Sequence, residues 1–172
     1  PYKIAVEHGD PETEGPDKPY FSGSTDIDVA ARHVNTAQVT AHVAKSQTFV
    51  RITEAFAKFY HDAEFTVTTG SGNEFTFRPD GTGDPERIWV KTGTTLSVSG
   101  TARSQSQDGE KEGPLYTFPA ETLDATVAAT CHIFTFDASN AGSASLNIVL
   151  GEGEGETRVI PVELNEEAIP SK

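Results

Sequence analysis

Asp80-Gly81-Thr82-Gly83-Asp84, with Glu86 just beyond, gathers carboxylates in a glycine-rich stretch. Hard cations are held by carboxylate and carbonyl oxygens, so Asp80, Asp84 and Glu86 are the candidate metal ligands, and calcium is the one cofactor the sequence suggests. The stretch lacks the full spacing of an EF-hand loop, and Asp-Gly and Gly-Asp are also ordinary turn dipeptides.

The five histidines, at 8, 33, 42, 61 and 132, form no His-Glu-x-x-His pattern and have no cysteine or carboxylate at transition-metal spacing. His61-Asp62 has the residue types of a base and its orienting carboxylate. Neighbours in a regular strand point to opposite faces, however, and no serine sits in a Gly-x-Ser-x-Gly elbow. No phosphate-binding glycine loop or dinucleotide fingerprint occurs. Cys131 is the only cysteine. It cannot form an intrachain disulfide, and the run Thr130-Cys131-His132-Ile133-Phe134 reads as a buried strand with a structural thiol. With no catalytic motif, a non-enzymatic role is the expectation.

Trp89, Tyr20, Tyr60 and Tyr116 are the residues that could stack on a sugar. Trp89 lies between Ile88 and Val90, so alternation turns it to the face opposite theirs. It is then either core on a second buried face or a contact residue for carbohydrate or protein.

The formal net charge of −13 repels nucleic-acid phosphates and anionic membrane surfaces, which excludes nucleic acid as the expected partner. No apolar run approaches the roughly 18 residues that would cross a bilayer, so membrane insertion is not expected either. The chain contains no methionine, an initiator included, which reads as trimming ahead of Pro1.

Positioning such residues requires elements, and most of the chain is written as strands. From Glu64 to Leu164 apolar and polar residues alternate between glycine-rich or acidic turns. Phe65 and Val67 answer Phe75 and Phe77 across Gly70-Ser71-Gly72-Asn73, a hairpin. Further strands are expected from Ile88 to Lys91, from Thr95 to Ser99, around Tyr116 to Phe118, from Thr126 to Phe136, from Ser145 to Leu150 and from Arg158 to Leu164. Pro161 makes the last of these an edge, since proline cannot donate a ladder hydrogen bond. Phe49, Ile52, Phe56 and Phe59 have helical spacing, which favours one amphipathic helix near 47–61, although Thr48, Val50 and Ile52 are strand formers. Val39 to Val43 alternates like a strand.

At the N-terminus, Tyr2, Ile4 and Val6 share one face of an extended segment, and residues 9–19 carry Pro11, Pro16 and Pro19 among carboxylates. Residues 1–19 therefore read as a strand plus linker and residues 20–172 as a single domain. The strand is expected to be buried in a sheet, its own or that of an adjacent copy.

The fold class that follows is mainly β: an antiparallel β-sandwich of immunoglobulin-like or jelly-roll type. The expected function is a structural or interaction subunit, such as a virion protein or a surface-filament component. Its partners are copies of itself or other subunits, contacted through Tyr2, Ile4, Val6, Trp89 and Pro161, and its setting is a virion or an extracellular surface. The alternative is an exported β-sandwich module that binds carbohydrate or calcium.

Overall fold

In a computed structural model of the chain, residues 1–83, 85–106, 112–140, 143–150, 156–160 and 163–164 are described. The protein is mainly β, with three open sheets and one short helix.

The N-terminal sheet has the order β1-β2-β3, from β1 (Tyr2–His8), β2 (Phe21–Ile27) and β3 (His42–Val43). The first two strands pair antiparallel along their whole length, Tyr2 opposite Ile27 and His8 opposite Phe21. Thr40 crosses β2 so closely that its carbonyl oxygen would lie 2.1 Å from any Cβ at position 23. Only Gly23 leaves that path open. Of the strand expected from Val39 to Val43 only His42–Val43 is formed, and Thr40 and Ala41 lie close against Gly23 of β2 instead.

A five-stranded sheet in the order β12-β11-β10-β4-β7 is built from β4 (Ser46–Ile52), β7 (Ile88–Val90), β10 (Cys131–Asp137), β11 (Ala144–Leu150) and β12 (Glu156–Ile160). A second, in the order β13-β9-β8-β5-β6, is built from β5 (Tyr60–Thr69), β6 (Glu74–Phe77), β8 (Leu96–Ser104), β9 (Leu115–Leu123) and β13 (Glu163–Leu164). The expected hairpin is present, with Phe65 opposite Phe77 and Val67 opposite Phe75.

Not every pairing is antiparallel, as the sequence pattern suggested. β4 and β10 run parallel, Gln47 opposite Cys131 and Ile52 opposite Phe136. Thr48 reinforces that join by donating to the carbonyl of His132 at 2.8 Å.

The helix expected near 47–61 is real only in its second half. Gln47 to Ile52 belong to β4, flanked by β10 and β7, where the β-branched Thr48, Val50 and Ile52 suit a central strand. The helix, α1 (Glu54–Phe59), begins at Thr53, whose hydroxyl accepts the Phe56 N–H and donates to Asp137. It ends after Phe59, where Tyr60 turns extended and opens β5.

One apolar core draws from both five-stranded sheets and α1. Phe49, Val50, Phe56, Phe65, Val67, Val98, Phe118, Phe134, Phe136 and Leu146 are all buried in it. Along β5, Tyr60, Ala63, Phe65 and Val67 point inward while His61, Glu64, Thr66 and Thr68 are more open, the alternation that a half-buried strand requires. The N-terminal strand behaves differently from expectation: every residue of β1 is exposed, including Tyr2, Ile4 and Val6, because β1 pairs with β2 of its own chain outside the core.

Candidate functional site

Between His61 and Glu64 the pairing of β5 with β8 slips, so that Asp62 and Ala63 together face the single residue Ala102. Asp62 absorbs the bulge with φ of +50°, a left-handed conformation that aspartate tolerates better than most residues. The slip undoes the rule that adjacent side chains diverge. His61 Nδ1 and Asp62 Oδ2 lie 2.8 Å apart, with Nε2 as the remaining polar atom of the imidazole.

This pair lines a cleft of about 610 Å³, within the range of small-molecule sites. Ile52, Ala57, Tyr60 and Ala63 give it apolar walls, and the polar groups are His61, Asp62, Glu64, Arg78, Asp80 and Gln105. Arg78 is held by Glu64, its Nε at 2.8 Å and an Nη at 2.7 Å from the same carboxylate oxygen. Gln105 is fixed from behind by its N–H to the Phe59 carbonyl and by its amide to the carbonyls of Ala57 and Tyr60. Gly81 brings the loop after β6 over Ala57, near enough that a Cβ there would meet the Ala57 methyl at 3.5 Å. The cleft is therefore a bay between a strand bulge, α1 and a loop, with carboxylates outnumbering cations around it.

The acidic loop itself is a turn. The Asp80 carboxylate accepts the Thr82 N–H at 2.8 Å and the Thr82 hydroxyl at 2.7 Å, and these two bonds hold its pKa below the ordinary carboxylate value. Asp84 lies outside the described residues, and Glu86 is exposed. Among the described residues no three His, Cys, Asp or Glu side chains gather as metal ligands.

Trp89 takes the position that alternation assigns, on the face away from the buried Ile88 and Val90. It is half-buried. Its backbone exchanges both hydrogen bonds with Gly15, each at 2.9 Å, so the segment of residues 9–19 meets the edge of β7 at that point. Trp89 also borders a smaller cavity of about 270 Å³ with Arg87, Lys45, Gln47 and Cys131. Arg87 sits over the ring of Phe49, 5.5 Å from its centre.

His132 is buried in the core. Its Nε2 accepts the Val127 N–H at 3.2 Å, and Nδ1 has no hydrogen bond among the described residues. Burial pushes its pKa down, outweighing the carbonyls of Gln47 and Thr130.

Of the residues singled out for contact, Tyr2, Ile4 and Val6 lie together on one face of β1, 66%, 36% and 39% exposed. They share that face with Ile27 and Phe21 across the hairpin. Trp89 is remote from them in the ladder, and Pro161 lies outside the described residues. The cleft at His61 was not legible as a site, since its signal is a bulge.

No helix among the described residues is long and apolar enough to cross a membrane. No curated protein and no solved structure matches the chain. Residues 1–166 match the family model of a domain of unknown function, DUF4493, and the chain belongs to that family.

Proposed function

We propose that the two five-stranded sheets form a β-sandwich scaffold and that the protein is a non-enzymatic assembly subunit, a virion protein or a surface-filament component. Its first partner is a second copy of the chain, and its contact surface is the N-terminal sheet. One observation carries this reading: no residue of β1, β2 or β3 is buried, yet Tyr2, Ile4 and Val6 line up an apolar row on β1. A small sheet without a covered apolar face is marginal by itself. β1 is also an edge strand, with one row of backbone groups open to pairing. The acidic surface of the remainder is compatible with solubility and spacing between subunits.

Removing residues 1–8 and measuring particle mass by light scattering tests this. The shortened chain should be folded and monomeric while the intact chain assembles; assembly unchanged by the deletion would sink the reading.

A second reading, a carbohydrate-binding module, draws support from the cleft at His61. Its carboxylates, imidazole and amide oxygen suit a ligand rich in hydroxyl donors, and its walls suit the apolar face of a sugar ring. A glycan array read beside the His61 ring resonances checks it. Binding that moves those resonances favours the module, and a blank array with unmoved resonances removes it.

A further inference from the structure

Lys45, between β3 and β4, is only 2% exposed, a rare condition for a lysine. Its ammonium has three donors, and all three are used on backbone carbonyls of one segment: Asp10 at 2.6 Å, Thr13 at 2.5 Å and Lys18 at 3.0 Å. Those carbonyls belong to residues 9–19, the strap that joins β1 to β2.

The same strap is fastened to both large sheets. Glu14 accepts the Thr69 hydroxyl at 2.6 Å and the Asn73 amide at 2.7 Å at the β5–β6 turn, and the Lys91 N–H at 3.0 Å beyond β7. Gly15 pairs with Trp89 at the edge of β7, with φ of +136° and no room lost to a side chain. Glu12 meets the Lys91 ammonium at 2.6 Å. Among the described residues no strand of the N-terminal sheet pairs with a strand of either large sheet. The strap and the two-residue link Ala44-Lys45, which runs from β3 straight into β4, are thus the two mounts on which β1, β2 and β3 are carried.

We propose that Lys45 is the pin of a conformational latch: its ammonium fills a three-carbonyl cage that folds the strap into its docked shape and so fixes the direction in which the N-terminal sheet points. Carbonyls turned toward one centre repel one another unless a cation holds them. Lys45 supplies that cation from within the chain, anchored at the start of a core strand. Without it the cage has no reason to close. The strap then comes away from Trp89 and the N-terminal sheet swings about the Ala44-Lys45 link, while the core of Phe65, Phe118 and Phe136 remains packed. The latch is a property of one chain, so its failure would leave the assembly reading untouched, and the reverse holds.

Trp89 is the only tryptophan in the chain and is itself the residue that the strap grips, so its emission reports the strap. The experiment compares the intact protein with Lys45→Met, which keeps the apolar stem and removes the donors. Hydrogen exchange is read on Gly15, Trp89 and the strands of both large sheets. The latch predicts exchange at Gly15 and Trp89 faster by about tenfold or more, as loss of a charge-assisted hydrogen bond implies, with a red shift of Trp89 emission and unchanged protection in β5, β8 and β10. Methylammonium, which can refill the cage, should restore part of the protection. Unchanged exchange at Gly15 overturns the proposal. So does a uniform loss of protection through all sheets, which would make Lys45 an ordinary structural group. Should Lys45→Met not fold, Lys45→Gln, which keeps two donors on a shorter stem, must give the same local loss or the proposal fails.

Discussion

The rings of Phe65 on β5 and Phe136 on β10 stack with 3.9 Å between their centres and 17° between their planes. This pair joins the two five-stranded sheets, and both rings also touch Phe118 and Phe56. Truncating Phe136 to alanine removes the stacked ring and leaves a cavity bounded by other rings that cannot all collapse into it. The expected loss is about 3–5 kcal/mol, measured by urea unfolding. A loss under about 1 kcal/mol would mean that the sheets do not depend on this contact.

Thr53 has two partners that alanine cannot serve. Its hydroxyl caps α1 at the Phe56 N–H and donates to Asp137 on β10, tying the helix to the neighbouring sheet. Thr53→Ala should cost about 1 kcal/mol, and Thr53→Ser should recover most of it. The denaturant midpoint should fall with the slope unchanged, since the packed area is the same.

The strap should respond to acid. Burial by itself would raise the Glu14 pKa, but the hydrogen bonds from Thr69, Asn73 and the Lys91 N–H, with the Lys91 charge, outweigh it and hold the value below the ordinary 4.5. A carboxylate depressed in the folded state contributes stability that is fully present above its unfolded value and is lost as pH falls through the folded one. Trp89 emission should therefore be steady down to about pH 4.5 and change below it. Glu14→Gln should show the altered emission already at neutral pH, with a flatter acid limb.

Much of the scaffold was legible in the sequence because half-buried strands state their own pattern. Phe65, Val67, Phe75 and Phe77 announced the β5–β6 hairpin, and the alternation of Ile88, Trp89 and Val90 set Trp89 on the opposite face from its neighbours without saying whether that face is covered. What could not be read depends on partners far along the chain. Gln47 to Ile52 have aromatic and aliphatic spacing that suits a helix, and only the parallel union of β4 with β10, some eighty residues away, makes them a strand. Phe49 is consequently spaced like a helix residue for reasons unrelated to one. His61 and Asp62 were set aside because regular strands separate neighbours, and the bulge that reunites them leaves only a faint trace in residue type. Nothing in the sequence marks Lys45, since its cage is made of carbonyls, which every residue has. Tyr2, Ile4 and Val6 were correctly placed on one face of a strand, yet their burial was expected from apolarity alone, and the pairing of β1 with β2 leaves them open.

Those three side chains are the surface on which the proposed assembly through the N-terminal sheet depends. The measurement is the mass of the native particle by sedimentation velocity, for the intact chain and for the triple substitution Tyr2→Thr, Ile4→Thr and Val6→Thr, which keeps strand propensity while removing the apolar row. The intact chain should sediment as an assembly of several copies and the substituted chain as a folded monomer. An intact chain that is monomeric at working concentration, or an assembly that survives the substitutions, would contradict assembly through the N-terminal sheet.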